Sequence, residues 1–290
     1  MATQRHLLDA PGSRWLWLWP LPKASDIPDL IRDLWKHGIT GVVPQESDHA
    51  VAWAQQHAGE FTAAGINVVI GLGRIDKDAI LRALDVLHVK GVMIDQEAWG
   101  SVTDSDALVA SVLAARPDAA DYIADCHYPC VVSTPGGSHT GHDKIAKAWS
   151  PICGLRCPQD YDEELQTPDW WVTKRIQWSR SPSQWPSLGV DPSRVRASVQ
   201  MYRRSVLDHV NVLLQESDGS IWLWDWNESD TSCRLALQIV HALELQGHTG
   251  VGAVQAFQKE HGLAEDGVPG PATCAVLGVT VPPRVIWRIP

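Results

Sequence analysis

Residues 91–100 read GVMIDQEAWG, aliphatic as far as Ile94 and then acidic at Asp95 and Glu97. Side chains alternate along a strand, so Val92 and Ile94 share one face while Met93, Asp95 and Glu97 share the other. Two acids at the end of an apolar strand lose hydration and repel each other, and one of them is expected to hold its proton. A protonated Glu beside an ionised Asp suits glycosidic bond cleavage, in which an acid must protonate the leaving oxygen. Asp225, in the WDWN stretch, and Asp160 are two further candidate carboxylates. The competing expectation is structural, with Asp95 and Glu97 ion-paired to Arg156 or Arg196.

Aromatic composition points to the same class of ligand. The chain has 15 Trp against 2 Phe, and a flat indole with one polar N–H suits stacking on a sugar ring. A formal charge of −10 and no basic run argue against a nucleic-acid partner, which needs clustered Lys and Arg. Strand parity puts Trp15, Trp17 and Trp19 on one face of their segment, and Trp222, Trp224 and Trp226 on one face of theirs. Substrate contacts are expected from Trp17, Trp19, Trp99, Trp222 and Trp224. Gln45, Gln200 and Tyr202, at strand ends, could bond sugar hydroxyls or N-acetyl groups. The pairs Cys126/Cys130 and Cys153/Cys157 are spaced more widely than the usual C-x-x-C knuckle, so buried reduced thiols are expected. No H-E-x-x-H and no G-x-S-x-G occurs; neither a metal nor another cofactor is expected.

The elements that must position these residues alternate along the chain. Strands are expected at 14–21, 39–45, 66–73, 89–97, 128–135, 154–161, 194–202 and 220–227. Helices are expected at 25–38, 48–65, 76–88, within 104–125 and at 231–247, with 162–192 as a long loop. This is the pattern of an α/β fold, a (β/α)8 TIM barrel, spanning 1–245, with a small α-helical module at 246–290. In such a barrel Asp95 and Glu97 would rise into the mouth, where the C-terminal strand ends gather. On the seventh strand Arg196, Ser198, Gln200 and Tyr202 would face inward. No G-x-G-x-x-G opens a helix, which disfavours an open nucleotide-binding sheet.

Two stretches carry family resemblances. Residues 251–278 resemble the peptidoglycan-binding module of bacterial and phage wall hydrolases, through Val254-Gln255, Phe257-Gln258, Gly262-Leu263, Asp266-Gly267-Val268, Gly270-Pro271, Thr273 and Leu277. The first helix of that module would have to come from 234–246. The Asp95-x-Glu97 pattern resembles the family 25 glycoside hydrolases, barrel-shaped muramidases, which implies Glu97 as acid/base and Asp95 as its partner. It also resembles the tail of the family 18 motif, although Lys90 and Met93 stand where that motif has Asp. Family 25 usually ends its first strand in Asp, a region held here by Trp17 and Trp19. Together the resemblances imply a lysozyme-like phage endolysin that cleaves β-1,4 bonds between amino sugars. The partner implied is peptidoglycan or a related amino-sugar polymer, with neither nucleic acid nor membrane. The apolar run WLWLWPL lacks a basic start and a cleavage site, so synthesis in the cytoplasm without a signal peptide and action at the bacterial cell wall are expected. The alternatives are a non-catalytic wall-binding or structural phage protein on a degenerate barrel, and a chitinase-like glycosidase.

Overall fold

The structure, a computed structural model, describes residues 6–45, 49–73, 76–95, 105–127, 151–158, 191–201, 205–224, 226, 229–285 and 287. Among them eight parallel strands lie in the order β6-β5-β4-β3-β2-β1-β8-β7. They are β1 Ser13–Leu18, β2 Gly41–Pro44, β3 Asn67–Leu72, β4 Gly91–Asp95, β5 Ile123–His127, β6 Leu155–Pro158, β7 Ser198–Gln200 and β8 Ser220–Trp224. A parallel bridge from Arg156 to Val195 brings the two edges together, so the sheet is nearly closed into a barrel. Helices α1 Ile27–Lys36, α2 His49–Ala63, α3 Lys77–Leu84, α4 Ser105–Ala115, α5 Val206–Gln215 and α6 Thr231–Leu245 lie between and after the strands. Three of them start on a side-chain cap: Asp76, Ser205 and Asp230 accept the backbone N–H three residues on, satisfying a donor that the helix itself cannot.

Period two sorts each strand between two apolar layers. Leu16, Leu18, Val42, Val68, Ile70, Val92, Ile94, Ala197, Val199 and Leu223 pack outward against the helices. Trp15, Trp17, Val43, Val69, Met93, Ala124, Leu155, Cys157 and Trp222 fill the interior, joined by Leu8. Trp15 and Trp222 stack with centroids 5.1 Å apart. Their space exists because β2 carries no side chain beside them: a Cβ on Gly41 would lie 2.3 Å from Trp15 Cε3.

The fifth strand departs from expectation. It is Ile123–His127, whereas 128–135 lies outside the described residues. Its segment IADCH is short and holds an Asp and a His, a weak apolar signal beside the CVVS that follows. Trp226 corrects another expectation. β8 ends at Trp224, alternation stops there, and Trp226 packs in the outer layer, edge-on to His37 and under the Arg234 guanidinium at 4.0 Å. Arg196 also lies apart from Asp95. At the base of the barrel its Nε and Nη2 donate to the two carboxylate oxygens of Asp9, each at 2.6 Å, and Asp9 also accepts from Ser220 N. The segment around Leu8 and Asp9 thus closes the base, and Trp15 Nε1 donates to Leu8 O.

After α6 come α7 Ala253–Glu260 and α8 Pro271–Leu277. The connection between them is organised by buried Gln258, whose Nε2 donates to Asp266, Val268 O and Thr273 while its Oε1 accepts from Gly267 N.

Two predictions follow from this packing. Removing one partner of a buried ion pair strands the other, at a cost of about 3–5 kcal/mol; Asp9→Ala should lower the stability measured by urea unfolding by that amount, whereas under 1 kcal/mol would deny the base its role. His6 and His37 are held below their ordinary value of 6.5, in each case first by burial. Both are therefore neutral in the fold and take up protons more readily once unfolded. The stability they contribute is present above about pH 6.5 and is lost as pH falls below it. The urea midpoint should drop between pH 7.5 and 5.5; a constant or rising midpoint would contradict the neutral assignment.

Candidate active site at the barrel mouth

The indole floor comes first. Above the Trp15–Trp222 stack, Trp17 lies fully buried, its ring meeting Trp224 edge-on at 5.4 Å. The ring fits over Gly71 of β3, where an added Cβ would sit 3.0 Å from both Trp17 Cζ3 and Gln45 Cβ. With the middle of the interior filled by these rings, polar side chains gather at the base, as Asp9 and Arg196 do, and at the rim.

Asp95 is the last residue of β4 and is buried, with 8% of its surface exposed. Gln45, just past β2 and bridged to Gly71, donates from Nε2 to Asp95 Oδ2 at 2.5 Å. β2 and β4 are not neighbours; β3 runs between them. The hydrogen bond passes over β3 because Gly71 puts no side chain in the way. A glycine inside a strand often marks such a close approach, and the GLG of residues 71–73 is the signal from which this contact could have been read. The amide N–H gives this buried carboxylate a hydrogen-bond partner, as buried polar groups require. Gln45 Oε1 and Trp17 Nε1 are buried with no hydrogen-bond partner among the described residues.

The expected substrate contacts divide between mouth and core. Gln45 and Asp95 meet, Trp224 is half-buried on the rim, and Trp19, just past β1, is 48% exposed. Trp17 and Trp222 are corrections, because both are completely buried: Trp222 is sandwiched against Trp15 with Nε1 on Ser220 Oγ, and Trp17 forms the floor. Neither offers surface to a sugar. Gln200 belongs to β7, paired with Trp224 in register, which places it at the same end of the barrel. Glu97, Trp99, Asp160, Tyr202 and Asp225 lie outside the described residues. Among the described residues no group of three His, Cys, Asp or Glu could hold a metal ion. Cys153 packs in the outer layer and Cys157 in the interior, so this pair is divided by the sheet.

A double-mutant cycle tests the contact that holds the carboxylate. A hydrogen bond to a charged group contributes about 1.5–3 kcal/mol, so Gln45→Leu and Asp95→Ala should be non-additive in urea unfolding by about that much. Additivity within about 0.5 kcal/mol would mean that the two side chains do not act together.

Comparison with known proteins adds two findings. Residues 251–277 match the peptidoglycan binding domain family, so the C-terminal helical region carries a domain of that kind. By structure the chain is similar to active domain 2 of a thermostable chitinase from Pyrococcus furiosus, described from catalytic-site mutants complexed with chito-oligosaccharides. That similarity has 13% identity and a TM-score of 0.55, covering 83% of this chain and 97% of that one. It is also similar to a family 51 α-L-arabinofuranosidase from Bifidobacterium longum, with 10% identity and a TM-score of 0.50, covering 77% and 68%. At such identities the likeness is one of fold, the (β/α)8 barrel. No curated protein sequence matches this chain. Among the described residues no helix is long and apolar enough to cross a membrane.

Proposed function

We propose that this protein is a wall-degrading glycoside hydrolase that cleaves the β-1,4 bond between amino sugars of peptidoglycan, in the manner of a phage lysozyme. The observation that carries the reading is the buried carboxylate of Asp95 at the barrel mouth, held by Gln45 above a floor of indoles, in a chain that also matches a peptidoglycan-binding family. The likeness in fold to a chitinase barrel supports a glycan as substrate. Glu97, two residues beyond Asp95 in sequence, is assigned the role of general acid that protonates the leaving oxygen. Asp95, oriented by Gln45, is assigned the role of stabilising the positive charge that builds on the sugar ring as the bond breaks. Trp19 and Trp224 offer apolar faces on which a sugar ring stacks. The chain acts at the bacterial cell wall, where its C-terminal module finds its ligand.

A second reading keeps the glycan and drops the chemistry. Trp17 is wholly buried in the first-strand region where muramidases of family 25 carry an Asp, so the barrel would serve as a wall-docking protein.

Clearing of purified cell walls, followed as turbidity, separates the two. General acid catalysis is worth roughly 10²–10⁴-fold; Glu97→Gln and Asp95→Asn, checked for native near-UV circular dichroism, should each slow clearing by at least 100-fold. Equal clearing by wild type and Glu97→Gln would remove Glu97 from the chemistry. No clearing by wild type would favour the docking protein, and release of soluble sugars from chitin instead would move the substrate to chitin.

A further inference from the structure

The helix after β8 has more neighbours than a barrel helix needs. A surface helix that packs on one layer buries a stripe about 100° wide or somewhat more. In α6 the buried residues are Ser232, Cys233, Leu235, Ala236, Leu237, Ile239, Val240 and Leu243. At 3.6 residues per turn these cover about 200° of the helix surface. The second half of that arc has a cause, since α6 packs against α5 of the barrel and also against α7 and α8 of the C-terminal segment. Ala253, Val254, Phe257, Cys274 and Leu277 belong to the same continuous buried cluster as Leu16, Leu18 and Leu223 of the barrel strands.

The C-terminal segment leaves from the anchored end of α6 and is tied to the barrel again at its far end. At the base, Glu244 near the end of α6 accepts from Arg14 Nη2 at 2.5 Å, and Arg14 belongs to the start of β1. Beyond α8, Val279, Val281, Val285 and Trp287 pack against the shared cluster. Leu207 N, in the first turn of α5 on the mouth side, donates to Trp287 O at 3.2 Å. The segment thus runs from the base back towards the mouth, with no free linker between the family match and the barrel.

We propose that barrel and C-terminal module form a single rigid body built around α6, the helix that serves both. The boundary near residue 246 divides sequence but not folding units. The wall-binding segment then holds the mouth at a fixed attitude instead of trailing it on a tether, a consequence that rests on the wall-directed reading given above. α6 is 15 residues long, about 22 Å at 1.5 Å per residue. Its N-terminus lies beside the mouth and its C-terminus at the base, so the module's junction and the cutting site are separated by more than a disaccharide.

Unfolding of the full chain tests this without any wall, so a failure of the hydrolase reading would leave the result untouched. Every Trp except Trp287 precedes residue 247, which makes tryptophan emission a probe of the barrel. Cys274 probes the module: it is fully buried, and burial pushes its thiol up to about 11, so iodoacetamide reaches it only when the segment opens. Pulse labelling across a urea titration, with Cys274 followed by peptide mass spectrometry, should give a midpoint that coincides with loss of native emission. Phe257→Ala, a change inside the module, should move both midpoints down together by roughly 1–2 M. Phe257→Leu should move both by a smaller common amount and replaces Phe257→Ala if that chain does not fold. Separate midpoints in wild type, or a shift in Cys274 labelling with emission unmoved, would overturn the proposal.

Discussion

The constraint on which this molecule turns is how a narrow parallel barrel is filled. Two indoles, Trp15 and Trp222, stack at its lower level, and Trp17 lies above them. Rings of this size fit because two nearby strands supply glycine: Gly41 of β2 faces Trp15 and Gly71 of β3 faces Trp17. Filling the middle of the interior leaves the base and the rim as the places for polar groups. It also makes Gly71 serve twice, since the gap that admits an indole lets Gln45 cross β3 to Asp95. A buried carboxylate without a donor would cost several kcal/mol; here the donor is supplied by the same packing that shapes the floor.

The base and the flank obey the same economy of buried polar groups. Asp9 and Arg196 form a bidentate pair that draws the N-terminal segment under the barrel. On the flank, α6 buries two faces, and Gln258 satisfies the turn that joins α7 to α8. The carboxylate at the mouth, the ion pair at the base and the helices on the flank thus each have their buried polar groups met by neighbouring elements.

Most of the barrel was legible from period two and from the turns. Alternation in RWLWLW and SIWLW correctly separated Leu16 and Leu223 from Trp15 and Trp222, because a strand paired on both sides has no freedom to rotate its faces. Alternation failed where pairing stops: Trp226 lies beyond β8, so its face is chosen by His37 and Arg234 rather than by parity. The fifth strand was misplaced because IADCH draws its stability from neighbours on both sides and not from its own apolar content. The position of Asp95 at the end of β4 was legible because the apolar run GVMI stops there and strand parity turns the acid inward. Its partner Gln45 was legible as a strand-end residue, but the contact was not, since it depends on a missing side chain on an intervening strand. Inward-facing indoles were read as sugar contacts, yet parity reports only a face and not a depth, and depth is what buries Trp17 and Trp222.

The account stands on the mouth above that indole floor being a place where a glycosidic bond is broken. The most direct measurement is a count of the new chemical ends produced when purified peptidoglycan is incubated with the full chain. The account predicts reducing sugar ends that accumulate with time while free amino groups stay constant. Free amino groups without reducing ends, or no new ends of either kind, would contradict it.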